Sequence, residues 1–133
     1  MQRKMLMGKI HRATVTEANL AYQGSISIDA DLLDAAGILE FEQVEVWNIT
    51  NGNRFSTYAM EAPRGSGTVC INGAAAHKAR PGDQVIVANF AWIHETEAQY
   101  HKPKIVLVDG ENKPVGQKIG TAPHTLRVMN MLM

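Results

Sequence analysis

The segment EQVEVWNITNGNRFSTYAMEA, residues 42–62, contains two strand-like stretches separated by a turn. Successive side chains of a strand point to opposite faces, so Val44 and Val46 share one face of the first stretch. Asn51 and Gly52 are a two-residue hairpin signal, because both residue types tolerate a positive φ. The segment therefore predicts an antiparallel hairpin whose returning strand is RFSTYAMEA.

Short strands separated by turns are predicted along the rest of the chain as well. They cover Lys9 to Val15, Ser25 to Ile28, TVCI at 68–71, QVIVANFAW at 84–92 and Lys104 to Val108. A short helix is predicted between Asp29, a good N-cap, and Gly37, which suits the left-handed position past its end; a one-turn helix is predicted at Asn72. The tail after about Val115 is weakly patterned, and we expect it either to fray or to cover a neighbouring subunit. Many short strands with one or two short helices predict a mainly β fold, a closed or nearly closed β-barrel.

The composition excludes several classes of protein. The 133 residues suit a single domain, 1–133. Thirteen basic residues balance 13 acidic ones, so net charge gives no basis for binding nucleic acid or an anionic membrane surface. Cys70 is the single cysteine, which rules out an intrachain disulfide and favours a reducing compartment. The N-terminus lacks the apolar run of a secretory signal, and no stretch approaches the roughly 20 apolar residues of a membrane span, so we expect a soluble, cytoplasmic protein.

The stretch YQGSISID, residues 22–29, raises a separate question: Gly24-Ser25 is either a turn or a peptide bond that the protein cleaves. The dipeptide alone favours a turn that leads into a strand. It is accompanied by MLMGKIHRATVTEANL before it and by WNITNGNRFSTYA, INGAAAH and a PGD turn after it. Together, over about the first ninety residues, these stretches resemble the pyruvoyl-dependent aspartate 1-decarboxylases.

The resemblance implies a small double-psi β-barrel that forms a homotetramer, with active sites between neighbouring subunits. It implies decarboxylation of L-aspartate at its α-carboxylate to β-alanine and CO2, which supplies pantothenate and coenzyme A biosynthesis. Loss of CO2 leaves a carbanion at the α-carbon, and no ordinary side chain accepts that charge. In this family a covalent pyruvoyl group, made here from Ser25, forms a Schiff base with the substrate amine. Neither pyridoxal phosphate nor a metal is expected.

The route from Ser25 to the pyruvoyl group accounts for the residue types at the cleavage point. Ser25 Oγ would attack the Gly24 carbonyl, and the acyl group would move from nitrogen to oxygen. β-Elimination and hydrolysis would then release ammonia and leave a ketone at position 25. Gly24 would permit strained backbone angles during this process. The products are a β chain, 1–24, and an α chain, 25–133; a helper protein for maturation is a further candidate partner.

The resemblance also implies roles for residues elsewhere in the chain. Tyr58 is the expected proton donor to the α-carbon, and Thr57 the donor to the oxyanion formed during processing. Arg54 and Lys9 are cations suited to the carboxylate that the substrate retains. The substrate site would be completed by Thr57, Asn72, Gly73, Ala74 and Ala75, with His11, Tyr22 and Trp47 as candidates for lining the pocket.

Some alternatives stay open from the residues themselves. Thr57 and Tyr58 point to opposite faces of a strand, so a kink or the barrel's twist is needed for both to reach one site. Tyr22 and Trp47 are equally compatible with packing roles, and Cys70 fits a small buried side chain better than a nucleophile. The five histidines show no ligand spacing, so no metal site is expected. The alternative functions are a pyruvoyl decarboxylase of another amino acid and a non-catalytic β-barrel that binds a ligand.

Overall fold

A computed structural model of the protein describes residues 1–119. Within them the strands are β1 (Gln2–Thr14), β2 (Glu17–Asn19), β3 (Ser25–Asp29), β4 (Gln43–Asn48), β5 (Arg54–Ala62), β6 (Val69–Asn72), β7 (Gln84–His94), β8 (Lys104–Val108) and β9 (Pro114–Ile119). The helices are α1 (Ala30–Ala36), a 3-10 helix (Gly73–His77) and α2 (Glu95–Ala98). The prediction of a mainly β, barrel-like fold with one or two short helices is confirmed.

The described strands follow one another in the order β2-β6-β3-β5-β4-β7-β1-β8-β9. β3 lies between β5, to which it is parallel, and β6, to which it is antiparallel. β1 is antiparallel to β7 and parallel to β8. Because β3 and β6 run in opposite directions, the start of β3 lies beside the end of β6, where the 3-10 helix begins.

The core is formed by the inward-facing side chains of these strands and by one face of α1. Val44 and Val46 are buried, as the alternation in residues 42–62 predicted. Branched aliphatic residues dominate because they suit a pleated, packed surface. Leu32 and Leu33 of α1 pack against the strands and are fully buried. Burial of these apolar side chains is the main favourable contribution to folding.

The predicted capping of α1 is confirmed at both ends. The Asp29 carboxylate accepts the backbone N–H of Asp31 at 2.9 Å. Gly37 ends the helix in the left-handed conformation, with φ of 71°, and its N–H donates to carbonyls of the last turn. These local signals set the two residues between which the helix begins and ends.

The hairpin between β4 and β5 differs from the prediction. Its loop spans residues 49–53 instead of two residues, and only Gly52 of the predicted pair has a positive φ. The Asn48 side chain explains the wider loop, since its Oδ1 accepts the backbone N–H groups of Thr50 and Asn51. An Asn side chain that bonds the backbone two residues later mimics a turn, and this competes with the tight hairpin.

Strand ends and the tail also differ from the prediction. β1 begins at Gln2 and not near Lys9, because its N-terminal half pairs with the end of β7. β9 forms from Pro114, in a stretch expected to fray, through backbone pairing with β8. The short helix α2 was not predicted. The rest of the predicted tail, residues 120–133, lies outside the described residues.

Candidate active site

Ser25 opens β3 directly after a solvent-exposed segment, residues 21–24. Ser25 itself is 5% exposed, so its hydroxyl is withdrawn from water although the loop before it is open. A buried hydroxyl needs a hydrogen-bond partner. The partner is supplied by β6, the antiparallel neighbour of β3.

Asn72 holds the Ser25 hydroxyl. The two residues are paired in the β3–β6 ladder, and Asn72 Nδ2 donates to Ser25 Oγ at 3.0 Å. The same nitrogen donates its second proton to Ser27 Oγ at 3.1 Å. Asn72 Oδ1 lies 3.2 Å from Cys70 Sγ. Because Ser25 Oγ accepts a hydrogen bond from Asn72, its own proton stays available for another acceptor.

The backbone before Ser25 packs against Gly73. Gly73 has a φ of 68°, and a Cβ built on it would lie 2.7 Å from both N and Cα of Gly24. It would also lie 3.0 Å from the Tyr22 carbonyl oxygen. Two backbone segments approach this closely only where one of them carries glycine.

The left-handed conformation therefore lies at Gly73 and not at Gly24, where the sequence predicted a strained backbone. Gly24 is not among the residues with positive φ. A Cβ on Gly24 would meet no atom within 4 Å. The physical reason is that Gly73, at the start of the 3-10 helix, is the residue whose missing side chain makes room for the loop backbone.

Tyr58 and Thr57 lie on β5, the parallel neighbour of β3. Ile26 pairs with Ala59, so the residues just before them, Ser25 and Tyr58, occupy adjacent positions on neighbouring strands. Tyr58 is exposed and Thr57 half-buried on the opposite face, as the alternation predicted. The Thr57 hydroxyl makes no hydrogen bond within residues 1–119. Its contact with the processing oxyanion stays a prediction.

Arg54 and Trp47 lie together at the other end of the β4–β5 pair. They are partners in the ladder, and the guanidinium carbon is 5.1 Å from the centre of the indole ring. This is cation–π geometry. The two side chains line an open cleft of about 430 Å³ with Lys4, Glu45 and Phe90. Arg54 is exposed there, so its guanidinium is accessible to an incoming carboxylate.

Lys9 and His11 lie on β1, which β7, β4 and β5 separate from β3. Lys9 is half-buried, and burial lowers the pKa of its ammonium group. His11 is 4% exposed, and neither ring nitrogen has a hydrogen-bond partner among the described residues. Burial, then the charges of Lys9 and Arg12, lower the pKa of His11 from 6.5 to about 4. His11 is therefore neutral at pH 7.

A backbone irregularity explains why His11 is buried next to the core residue Ile10. The β1–β7 register shifts between Ile10 and Ala13. Arg12 within this stretch has a positive φ of 64°. Such a bulge breaks the strict alternation of a strand and turns a polar residue inward.

The predicted site residues thus form two groups within one chain. The first surrounds the Gly24-Ser25 bond and contains Asn72, Gly73 and Tyr58, with Ala74 and Ala75 following in the 3-10 helix. The second consists of Arg54 and Trp47, with Lys9 and His11 further along the sheet. Within residues 1–119 no hydrogen bond or ion pair joins the two groups. Tyr22 is 63% exposed, and its carbonyl oxygen lies close to Gly73.

Ser27 was missed from the sequence, and Cys70 was identified only as a buried side chain, which the structure confirms. Both contact the Asn72 amide. The signal was the i, i+2 spacing of Ser25 with Ser27 and of Cys70 with Asn72, which puts each pair on one face of its strand. Its meaning depends on the pairing of β3 with β6, which one sequence does not reveal.

Two further findings concern other kinds of site. Across the described residues, no three His, Cys, Asp or Glu side chains are arranged to hold a metal ion. Nor does that part of the chain contain a helix with the length and apolar character needed to cross a membrane.

The fold and the site define a class: small, mainly β proteins in which an asparagine amide holds a buried serine hydroxyl at the end of an exposed Gly-containing loop. Comparison with known proteins gives the family. The sequence profile of the family described as "Aspartate decarboxylase" matches residues 1–115. The chain belongs to this family.

Individual relatives match over nearly their whole length. The chain is 55% identical over 113 residues to the aspartate 1-decarboxylase of Chromobacterium violaceum, which covers 85% of this chain and 90% of that protein. It is 55% identical over 117 residues to the aspartate 1-decarboxylase of Syntrophobacter fumaroxidans, covering 88% and 94%. It is 56% identical over 113 residues to the same enzyme of Bordetella avium, covering 85% and 93%.

Proposed function

We propose that the protein decarboxylates L-aspartate at its α-carboxylate to give β-alanine and CO2. The carbonyl that this reaction needs is a pyruvoyl group derived from Ser25 by cleavage of the Gly24-Ser25 bond. The names of the relatives support the decarboxylase activity. The product is β-alanine for pantothenate and coenzyme A biosynthesis in the cytoplasm.

One observation carries the cleavage proposal: the buried Ser25 hydroxyl accepts a hydrogen bond from Asn72 next to a bond whose other side is open loop. A serine with only a structural role would need neither an exposed glycine directly before it nor a hydroxyl held by an asparagine amide. The backbone of Gly73 packs closely against that of Gly24. The residues present therefore fit the formation of a pyruvoyl group at position 25.

Cleavage balances with water as the only added reactant. Ser25 Oγ attacks the Gly24 carbonyl carbon, its proton passes to the departing nitrogen, and the C–N bond gives way to an ester. Loss of the Ser25 α-proton then breaks the Cβ–Oγ bond and frees the Gly24 carboxylate. Water adds to the resulting dehydroalanine, and ammonia leaves. Asn72 Nδ2 supports the Ser25 oxygen as negative charge develops on it.

The pyruvoyl group supplies an electron-accepting carbonyl that takes up the charge left by CO2. The side chains of this protein bind the substrate and protonate its α-carbon. Arg54 and Lys9 hold the retained carboxylate of aspartate, Arg54 through its planar fork of N–H donors. The backbone of Gly73 to Ala75 lies at the other end of the substrate. Tyr58, beside position 25, delivers the proton to the α-carbon.

A second copy of the chain completes the site in this proposal. Arg54 and Tyr58 are four residues apart on β5, roughly 13 Å at about 3.3 Å per residue. Lys9 lies several strands away from Ser25. A homotetramer with sites between subunits brings the Arg54 group of one subunit to Ser25 of the next. A helper protein for maturation is a further proposed partner.

Intact-protein mass spectrometry of the full chain tests the cleavage. We expect two fragments that divide after Gly24, with the larger blocked by a ketone, and β-alanine formed from L-aspartate. Ser25→Ala is the control and should stay whole and inactive. An active protein that keeps a continuous chain with an unmodified Ser25 would refute the proposed mechanism.

A further inference from the structure

We propose that Cys70 and Ser27 are positioning residues that fix the Asn72 amide toward Ser25, and that they thereby set the rate at which the Gly24-Ser25 bond is cleaved. The inference rests on the proposed cleavage. It adds two residues that do not touch the scissile bond and act through Asn72.

The four side chains share one face of the β3–β6 ladder. Ser25 is paired with Asn72, and Ser27 with Cys70. The Asn72 amide has two N–H donors and one carbonyl acceptor, and each has a partner. Nδ2 donates to Ser25 Oγ at 3.0 Å and to Ser27 Oγ at 3.1 Å. Oδ1 faces Cys70 Sγ at 3.2 Å.

The thiol selects one of two orientations of the amide. The oxygen and nitrogen ends of the Asn72 amide are nearly equal in size, so packing alone does not distinguish the two orientations. Turning the Asn72 side chain over would place N–H groups against the Cys70 sulfur, a weak acceptor, and the carbonyl against both serine hydroxyls. The Ser25 proton would then be held by that carbonyl. In the observed orientation Ser25 Oγ accepts, so its proton is free to leave when the oxygen attacks.

Cys70 is suited to donate because it stays a thiol. It is 5% exposed, and burial, followed by the negative charge of Glu17, raises the pKa of the thiol. Glu17 is paired with Cys70 on β2 and offers a second acceptor for the same proton. Removal of that carboxylate leaves Asn72 Oδ1 as the acceptor for the thiol.

The test follows cleavage of the full-length precursor over time by intact-protein mass spectrometry. Cys70→Ala and Cys70→Val remove the donor, and we expect cleavage about fivefold slower, the effect of one weak hydrogen bond. Cys70→Ser keeps a donor and should cleave near the wild-type rate. Ser27→Ala frees one N–H of Asn72 and should also slow cleavage. Glu17→Ala should cleave at the wild-type rate or faster.

The Cys70→Ser rescue separates positioning from packing. A packing role alone would lower the melting temperature of Cys70→Ala and Cys70→Val, and the cleavage rates would not depend on the presence of a donor. Equal rates for Cys70→Val and Cys70→Ser, or a slow Cys70→Ser that melts like the wild type, would overturn the inference. Absence of cleavage in the wild-type protein would refute the proposed function itself, so the two failures are distinguishable.

Discussion

At the scale of single residues, two glycines next to one another in space have different tasks. Gly24 belongs to the bond proposed for cleavage, yet its conformation and surroundings would accept a Cβ. Gly73 takes the left-handed conformation and lets the loop backbone approach closely. The demand for glycine is therefore greater at Gly73, where the sequence motif INGAAAH gave no reason to expect it.

We expect Gly73→Ala to lower stability and to slow cleavage, and Gly24→Ala to leave stability unchanged. The left-handed conformation costs an alanine about 1 kcal/mol, and the new Cβ must displace residues 22–24. Thermal unfolding in a Ser25→Ala background, where the chain stays whole, measures the first effect. Equal melting temperatures for the Gly73→Ala and Gly24→Ala chains would contradict the assignment.

His11 gives a pH prediction with a definite sign. The folded protein binds the His11 proton only near pH 4, whereas the unfolded chain binds it near 6.5, so the unfolded state takes up more protons between these values. Stability is therefore fully present above about pH 6.5 and falls as the pH drops to about 4. The loss is about 2–3 kcal/mol.

Denaturant unfolding at several pH values, in the Ser25→Ala chain with and without His11→Gln, measures this loss. The His11→Gln chain should have a flatter profile between pH 6.5 and 4. Asp29, Asp83 and Asp109, whose carboxyl pKa values are lowered, begin to lose their contributions as the pH approaches their ordinary value of 3.8. Because both chains share these carboxyl groups, the difference between the two stability profiles isolates His11. Parallel profiles would exclude His11 as the cause.

At the scale of elements, Asp29 joins three of them. Its carboxylate caps α1 through Asp31 N–H, and it accepts the N–H groups of Gly65 and Gly67 in the β5–β6 loop at 3.0 and 2.8 Å. Burial by itself would raise the pKa of the carboxyl group. The backbone hydrogen bonds outweigh burial and lower that pKa, and the bond from Gly67 has the largest effect among them. β3, α1 and the loop are thus tied at one buried side chain.

Asp29→Ala should therefore destabilise the chain by about 3 kcal/mol, since it removes a helix cap and leaves buried N–H groups without partners. Asp29→Asn keeps one oxygen acceptor and should lose less. Denaturant midpoints measure both. Arg64→Ala is the matched control in the same region, because its ion pairs with Asp31 and Asp34 are exposed, and it should change little. If the Asp29→Ala chain were as stable as the Arg64→Ala control, Asp29 would not be what ties β3, α1 and the β5–β6 loop together.

The elements that the sequence predicted well are those with local signals. β5 and β8 have the predicted bounds, and the caps of α1 lie at Asp29 and Gly37. The five-residue hairpin loop and β9 were mispredicted because they depend on an Asn48 side-chain contact and on a distant strand. The same limit applies to the site. The resemblance supplied its residue names, but only the β3–β6 pairing shows what surrounds the Asn72 amide.

At the scale of the whole molecule, the position of Arg54 is the observation behind the proposal that a second copy completes the site. Arg54 stacks on Trp47 on an accessible face, and Ser25 lies beside Tyr58, four residues further along β5. We expect that a small dicarboxylic acid does not reach position 25 from a guanidinium held on the Trp47 ring. Within the proposed function, the retained carboxylate and the reacting carbon are held by different copies.

Co-expression of a Ser25→Ala chain with an Arg54→Ala chain tests this composition. Each is expected to be inactive alone, the first without a carbonyl and the second without its carboxylate partner. Random mixing in a symmetric oligomer gives about a quarter of the sites both an intact Ser25 and an intact Arg54 from the neighbouring copy. β-Alanine formation should therefore return to about a quarter of the wild-type rate. If the mixed oligomers form but stay inactive, Ser25 and Arg54 act within one chain, and the separation seen along β5 must close by a movement of the loop before Ser25.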